Sequence, residues 1–84
     1  MKTKKIWLIV KEDTNDESAT HGEFAYDDKS KAIAIFDFTL TNLRNSLLKD
    51  MIEKSVTPTW IEWREEYGER VVQLYLTEIT LLEE

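Results

Sequence analysis

Residues 27–55 read DDKSKAIAIFDFTLTNLRNSLLKDMIEKS, and the fold turns on whether this run is helix or strand. Ile33, Phe36, Leu40, Leu43, Leu47 and Met51 follow the 3-4-3-4-4 spacing of one helix face. Asp28 can cap the first turn, and Pro58 stands shortly after the end. The spacing favours one helix over about residues 28–54. Within AIAIFDFTL, however, Ile35 and Phe38 fall opposite the stripe. The alternative reading makes that segment a strand, with a helix starting near Thr41 or Asn42. If the single helix holds, Ile35 and Phe38 need a second contact.

Upstream of this run, KKIWLIVKE is a short apolar stretch rich in β-branched and aromatic residues, and reads as a strand at about residues 4–11. Ile6, Leu8 and Val10 share one face; Trp7 and Ile9 share the other. The polar EDTNDESATHG reads as a loop, and GEFAYD as a short second strand pairing back on the first. Beyond the helix, Pro58 suits entry to an edge strand. Residues 59–70, TWIEWREEYGER, and the return strand from about Arg70 to Leu81 read as a hairpin, with Gly68 supplying a positive φ in its turn. The expected fold is α+β, in order β-β-α-β-β: a small, mostly antiparallel sheet with one long helix on one face. Its core combines Ile61, Trp63, Val72, Leu74 and Leu76 with Ile6, Leu8 and Val10 against the helix.

At 84 residues the chain suffices for one small domain, residues 1–84. A domain of this size buries roughly 60% of its unfolded surface, so the core is thin. With 42% apolar residues and three each of Trp, Tyr and Phe, the composition is that of a folded protein. Cysteine is absent, which removes disulfides and thiolate metal sites. The opening MKTKKIWLIVK has too short an apolar run for a secretory signal or a membrane span, so a cytoplasmic protein is expected.

The net charge is −6 and unevenly placed. Residues 1–11 carry Lys2, Lys4, Lys5 and Lys11 without an acid; residues 12–84 hold the other seven cations and all seventeen carboxylates, a local charge of −10. Such a body repels phosphate backbones and anionic membranes, so direct nucleic-acid and membrane binding are disfavoured and basic protein surfaces are attracted.

Catalytic and metal motifs are not found. His21 is the sole histidine and is read in a polar loop, with no Cys or second His to complete a metal site or triad. The stretch from Asp13 places Asp13, Asn15 and Glu17 at the first, third and fifth positions of a calcium loop. Ser18 and Phe24 then stand where that loop requires Gly and Glu. Two isolated glycines build no phosphate cradle. A raised-pKa carboxylate needs a dry pocket, for which so small a core leaves little room. No cofactor and no enzymatic activity are expected.

Partner binding is the remaining expectation. The odd spacing of Trp60 and Trp63 sends them to opposite strand faces, so Trp63 is core and Trp60 a surface anchor. One helix cannot cover both faces of a sheet. Trp7, Ile9, Trp60, Val71 and Tyr75 are therefore expected on an open face. Trp7, Trp60, Tyr67 and Tyr75, with Glu62, Glu65, Glu66 and Glu69, form the candidate partner-binding set. Alternate carboxylates along a strand stand about 6–7 Å apart, a spacing that meets arginines or lysines in series.

A short, acidic, cysteine-free chain with one helix on a small sheet and no catalytic motif resembles the small inhibitor proteins of phages and mobile elements, the anti-CRISPR proteins among them. The likeness covers the whole chain as a type and carries no residue-by-residue correspondence. It implies an inhibitor that binds a nuclease effector and blocks its guide, target-DNA or PAM-reading surface. The other class is a structural subunit forming a homodimer through the aromatic sheet face.

Overall fold

The computed structural model describes residues 2–15, 17–46 and 50–83. It contains β1 (Lys2–Thr14), β2 (Ala19–Tyr26), α1 (Lys29–Asn45), β3 (Ile52–Thr57), β4 (Trp60–Arg64) and β5 (Val71–Glu83). The strands form one antiparallel sheet in the order β2-β1-β5-β4-β3. The α+β architecture, with one helix laid on an antiparallel sheet, is the one read from the sequence.

The helix is shorter than its apolar spacing suggests. Asp28 caps it, accepting a hydrogen bond from the Lys31 N–H at 3.2 Å. It ends at Asn45, with Arg44 in the last turn, where a cation suits the helix dipole. Met51 still packs on the core, but from the segment before β3. Leu47, the fifth member of the expected stripe, lies outside the described residues. The buried face is Ala32, Phe36 and Leu43, with Ile35 and Leu40 packed beside it. Ile35 thus finds its contact in the core, whereas Ile33, expected inside, is exposed and Phe38 is 69% exposed.

Shortening the helix releases IEKSVT to form β3, a fifth strand at the sheet edge. Its β-branched residues favour extension. Pro58 and Thr59 form the β3–β4 turn, so the proline closes a hairpin where entry to a strand was expected. The Arg44 Nε and Nη2 groups both donate to Glu53 Oε1, at 2.9 and 2.6 Å, tying helix end to edge strand.

The core joins Ile9, Ile61, Trp63, Val72 and Leu74 from the sheet to Phe36 and Leu43 from the helix. Directly paired residues in an antiparallel sheet share a face. Ile9 pairs with Leu76 and Trp7 with Glu78, so Trp7 and Ile9 face the helix. Ile6, Leu8 and Val10 lie on the opposite face, where Val10 pairs with Tyr75. This reverses the expected facing of β1. A central strand is apolar on both sides, and a one-residue change of register exchanges its faces. Val10 is nonetheless only 2% exposed, because neighbouring strands cover it.

The first hairpin is also longer than read. β1 runs to Thr14, and the turn is held by Asn15 Oδ1, which accepts from the Glu17 and Ser18 N–H groups at 2.8 Å each. His21 therefore sits on a strand, not in a loop. The β4–β5 turn is closed by a bond from the Glu65 N–H to the Arg70 carbonyl, 3.2 Å. No described glycine has a positive φ. Gly68 instead leaves room, since a Cβ there would overlap the Glu65 carboxylate.

Candidate functional site

The helix covers one side of the sheet and leaves the other open. Across that open side, strand pairing aligns two rows. The first is Glu23, Val10, Tyr75, Trp60 and Thr57; the second is His21, Glu12, Gln73, Glu62 and Ser55. The first is aromatic and apolar at its centre, and the second is polar throughout. Ile6, Leu8, Ile79 and Leu81 extend the apolar row along β1 and β5.

Trp60 and Tyr75 pack with ring centroids 5.7 Å apart and planes tilted by 45°. Trp60 remains 48% exposed, so its ring offers a free surface already held in place by Tyr75. The Tyr75 hydroxyl donates to Glu12 Oε1 at 3.4 Å. Desolvation raises the Tyr75 pKa, and the Glu12 charge adds to the effect.

The polar row is cross-linked. Gln73 Nε2 donates to Glu62 Oε1 at 2.9 Å, and Arg64 Nε to Glu62 Oε2 at 3.0 Å. The Arg64 bond, then the Gln73 bond, hold the Glu62 carboxyl below its usual range. His21 stands between two carboxylates, with Nε2 2.8 Å from Glu23 and Nδ1 3.2 Å from Glu12. The Glu23 hydrogen bond is the largest influence raising its pKa. Glu12, Glu23 and Glu62 thus share one surface with the aromatic pair.

Of the residues singled out in the sequence, the fold brings Trp60, Glu62 and Tyr75 together. Trp7 is on the other face, because its pairing with Glu78 and Tyr26 directs it to the helix side. Glu65, Glu66, Tyr67 and Glu69 lie in the β4–β5 turn, at the far end of β4 from Trp60. Five residues at about 3.3 Å each separate Trp60 from Glu65 by roughly 16 Å. Tyr67 is 94% exposed. These turn residues form a separate acidic tip. Glu12 and His21 were missed because they belong to the stretch read as loop, and Glu23, in the stretch read as the second strand, was not singled out because its partner strand face was unknown. Their alternation with Lys11, Asp13 and Gly22 is the signal that would have placed them.

Trp7 contributes instead to a groove of about 480 Å³ between helix and sheet, with Ile33, Phe36, Leu76 and Pro58. Its charged members are Lys29, Asp37 and Glu78. So small a core therefore leaves more open space than its length suggests. Arg70 Nε and Nη2 grip the Asp13 oxygens at 3.0 and 2.7 Å, a two-pronged pair joining β1 to the end of the β4–β5 turn. The Arg70 hydrogen bond lowers the Asp13 pKa. Among the described residues, no cluster of His, Asp and Glu is placed to hold a metal ion. No helix among them is long and apolar enough to cross a membrane. No family model matches this chain, nor does any curated protein or solved structure.

Proposed function

We propose that this is a non-enzymatic binding protein that covers a basic surface of a partner protein with the open face of its sheet. The observation that carries the reading is a half-exposed, pre-positioned Trp60 with three carboxylates, Glu12, Glu23 and Glu62, on the same face of an acidic chain. Tryptophan and tyrosine are enriched at interface hot spots, and charged side chains belong to the polar rim around them. The carboxylates favour lysine- and arginine-rich partners and speed the encounter. A protein surface that itself grips nucleic acid has that chemistry. The anti-CRISPR-like expectation is of this kind: the protein would occupy the nucleic-acid-reading surface of a nuclease effector and exclude its guide or target. The acidic tip at Glu65, Glu66 and Glu69 adds to the long-range attraction.

Affinity capture with wild-type protein, Trp60→Asp and the triple reversal Glu12→Lys, Glu23→Lys, Glu62→Lys tests the reading. A partner held by the wild type, released by rising salt and by a competing polyanion, and lost with either variant supports it. A partner retained equally by all three proteins overturns it.

A second reading, a homodimer joined face to face, is favoured by the continuity of Ile6, Leu8, Ile79 and Leu81 with the aromatic pair. In that case Trp60→Asp alone converts a dimer to a monomer in sedimentation.

A further inference from the structure

We propose that two copies of this chain pair antiparallel through the free edge of β5, over residues 77–83, about a two-fold axis at Thr80. β4 flanks β5 only to Tyr75, and a last backbone bond on that side runs from the Leu76 N–H to the Thr59 carbonyl, 2.8 Å. Successive residues of a strand direct their backbone groups to opposite edges. Leu76 points toward β4, so Glu78, Thr80 and Leu82 turn their N–H and C=O groups the same way. No strand among the described residues meets them there.

These three residues are symmetric about Thr80. A second copy with Thr80 opposite Thr80 sets Glu78 against Leu82 twice over. All three outward residues of each chain then exchange both of their backbone bonds. Ile79 faces Leu81 across the join, on the open side of the sheet. Like charges do not oppose each other, and Glu78 is already paired with Lys5 at 3.1 Å. The match in length is also set by the fold: the Pro58–Thr59 turn stops the slot at Leu76.

The free edges of β1 and β3 carry protection that this one lacks. The free edge of β1 presents Lys2, Lys4 and Lys5, while β3 carries a bulge between Glu53 and Ser55 and is followed directly by Pro58. β2 has no lysine, proline or bulge, but Gly22 within it weakens the strand. Lysine, proline and bulges are the usual means of blocking edge pairing. From Thr77 to Leu82, β5 has none of them, and Leu82 is 69% exposed.

The two-fold axis stands perpendicular to the sheet, so both open faces look the same way and both helices lie on the opposite side. Each dimer then presents two Trp60–Tyr75 surfaces together. The join depends on backbone bonds and not on those surfaces, so it stands or falls separately from the binding reading above. Edge pairing of this extent makes a small interface, with association of about micromolar strength or weaker.

The chain has no cysteine, so Thr80→Cys introduces a single thiol. Hydrogen-bonded antiparallel pairs hold their Cα atoms about 5.5 Å apart, within disulfide reach. Mild oxidation is expected to trap Thr80→Cys as a covalent dimer, while Ser55→Cys on the β3 edge stays monomeric at the same concentration. In sedimentation, Thr80→Lys is expected to raise the dissociation constant at least tenfold with an unchanged circular dichroism spectrum. Should that variant fail to fold, the Thr80→Cys trapping decides. Wild-type protein that sediments as a monomer at millimolar concentration overturns the proposal. So does a dimer that Thr80→Cys does not trap, or one abolished by Trp60→Asp and indifferent to Thr80→Lys.

Discussion

Trp60 and Trp63 stand three residues apart and do opposite work. Trp63 is fully buried among Ile61, Val72, Leu74 and Phe36, and Trp60 lies on the open face. Strand geometry alone dictates this split, because an odd spacing cannot keep two side chains on one side. Replacing Trp63 by Ala removes the largest buried side chain, at about 3–5 kcal/mol. At about 4–8 °C of melting temperature per kcal/mol for a domain of this size, Trp63→Ala is expected to lower the melting temperature by about 12 °C or more. A thermal melt within a few degrees of the wild type would contradict this. The Asp13–Arg70 pair predicts a pH effect of definite sign. The Asp13 carboxyl is held below its unfolded value of about 3.9, chiefly by the Arg70 hydrogen bond. Its contribution is complete above that value and is lost as pH falls through the folded pKa. Asp13→Asn should lower the urea midpoint at pH 7 and fall less steeply than the wild type below about pH 4. Superimposable pH profiles for the two proteins would show that the pair contributes nothing.

At the scale of elements, helix and strands differ in how clearly their sequences declare them. The start of α1 is local chemistry: the Asp28 carboxylate meets an amide that the helix leaves unpaired. Asp28→Ala is therefore expected to cost about 0.5–2 kcal/mol, read as a lower denaturation midpoint, with Asp28→Asn nearly silent. Equal losses for Ala and Asn would show that charge, not capping, matters. The end of α1 is not local. The apolar spacing continues through Leu47 to Met51, yet the chain leaves the helix at Asn45 and returns as β3. Pairing with β4 satisfies the backbone of residues 52–57, and the Arg44–Glu53 contact fixes the corner. β1 makes the same point for faces. Its two apolar sets are alike, and pairing with β5, not composition, sends Ile9 to the core.

At the scale of the molecule, β1 and β5 are thirteen residues each and outrun their neighbours. Lys2–Ile6 and Ile79–Glu83 pair with each other beyond β2 and β4, giving a body 51 × 26 × 17 Å. The helix lies over β1, β5 and β2 and leaves the reverse side bare. On that bare side, the proposed function predicts binding that weakens as salt rises. The triple reversal of Glu12, Glu23 and Glu62 should abolish the salt sensitivity together with the affinity. A wild-type complex unaffected between low and high ionic strength would place its energy elsewhere than in these carboxylates.

Features with local causes are legible along the chain: the capped helix start, the alternation of β4 and β5, the opposed tryptophans and the acidic charge. Periodicity, capping and formal charge are properties of neighbouring residues, so they are legible in one dimension. The tertiary structure decided which face of β1 is core, where the helix stops, and that Glu12, His21, Glu23 and Glu62 share a surface with Trp60. Those outcomes depend on strand register, which is set by contacts between residues as far apart as Lys2 and Glu83. No window of sequence contains both partners, and a shift of one residue would have turned every side chain of β1 to the other side.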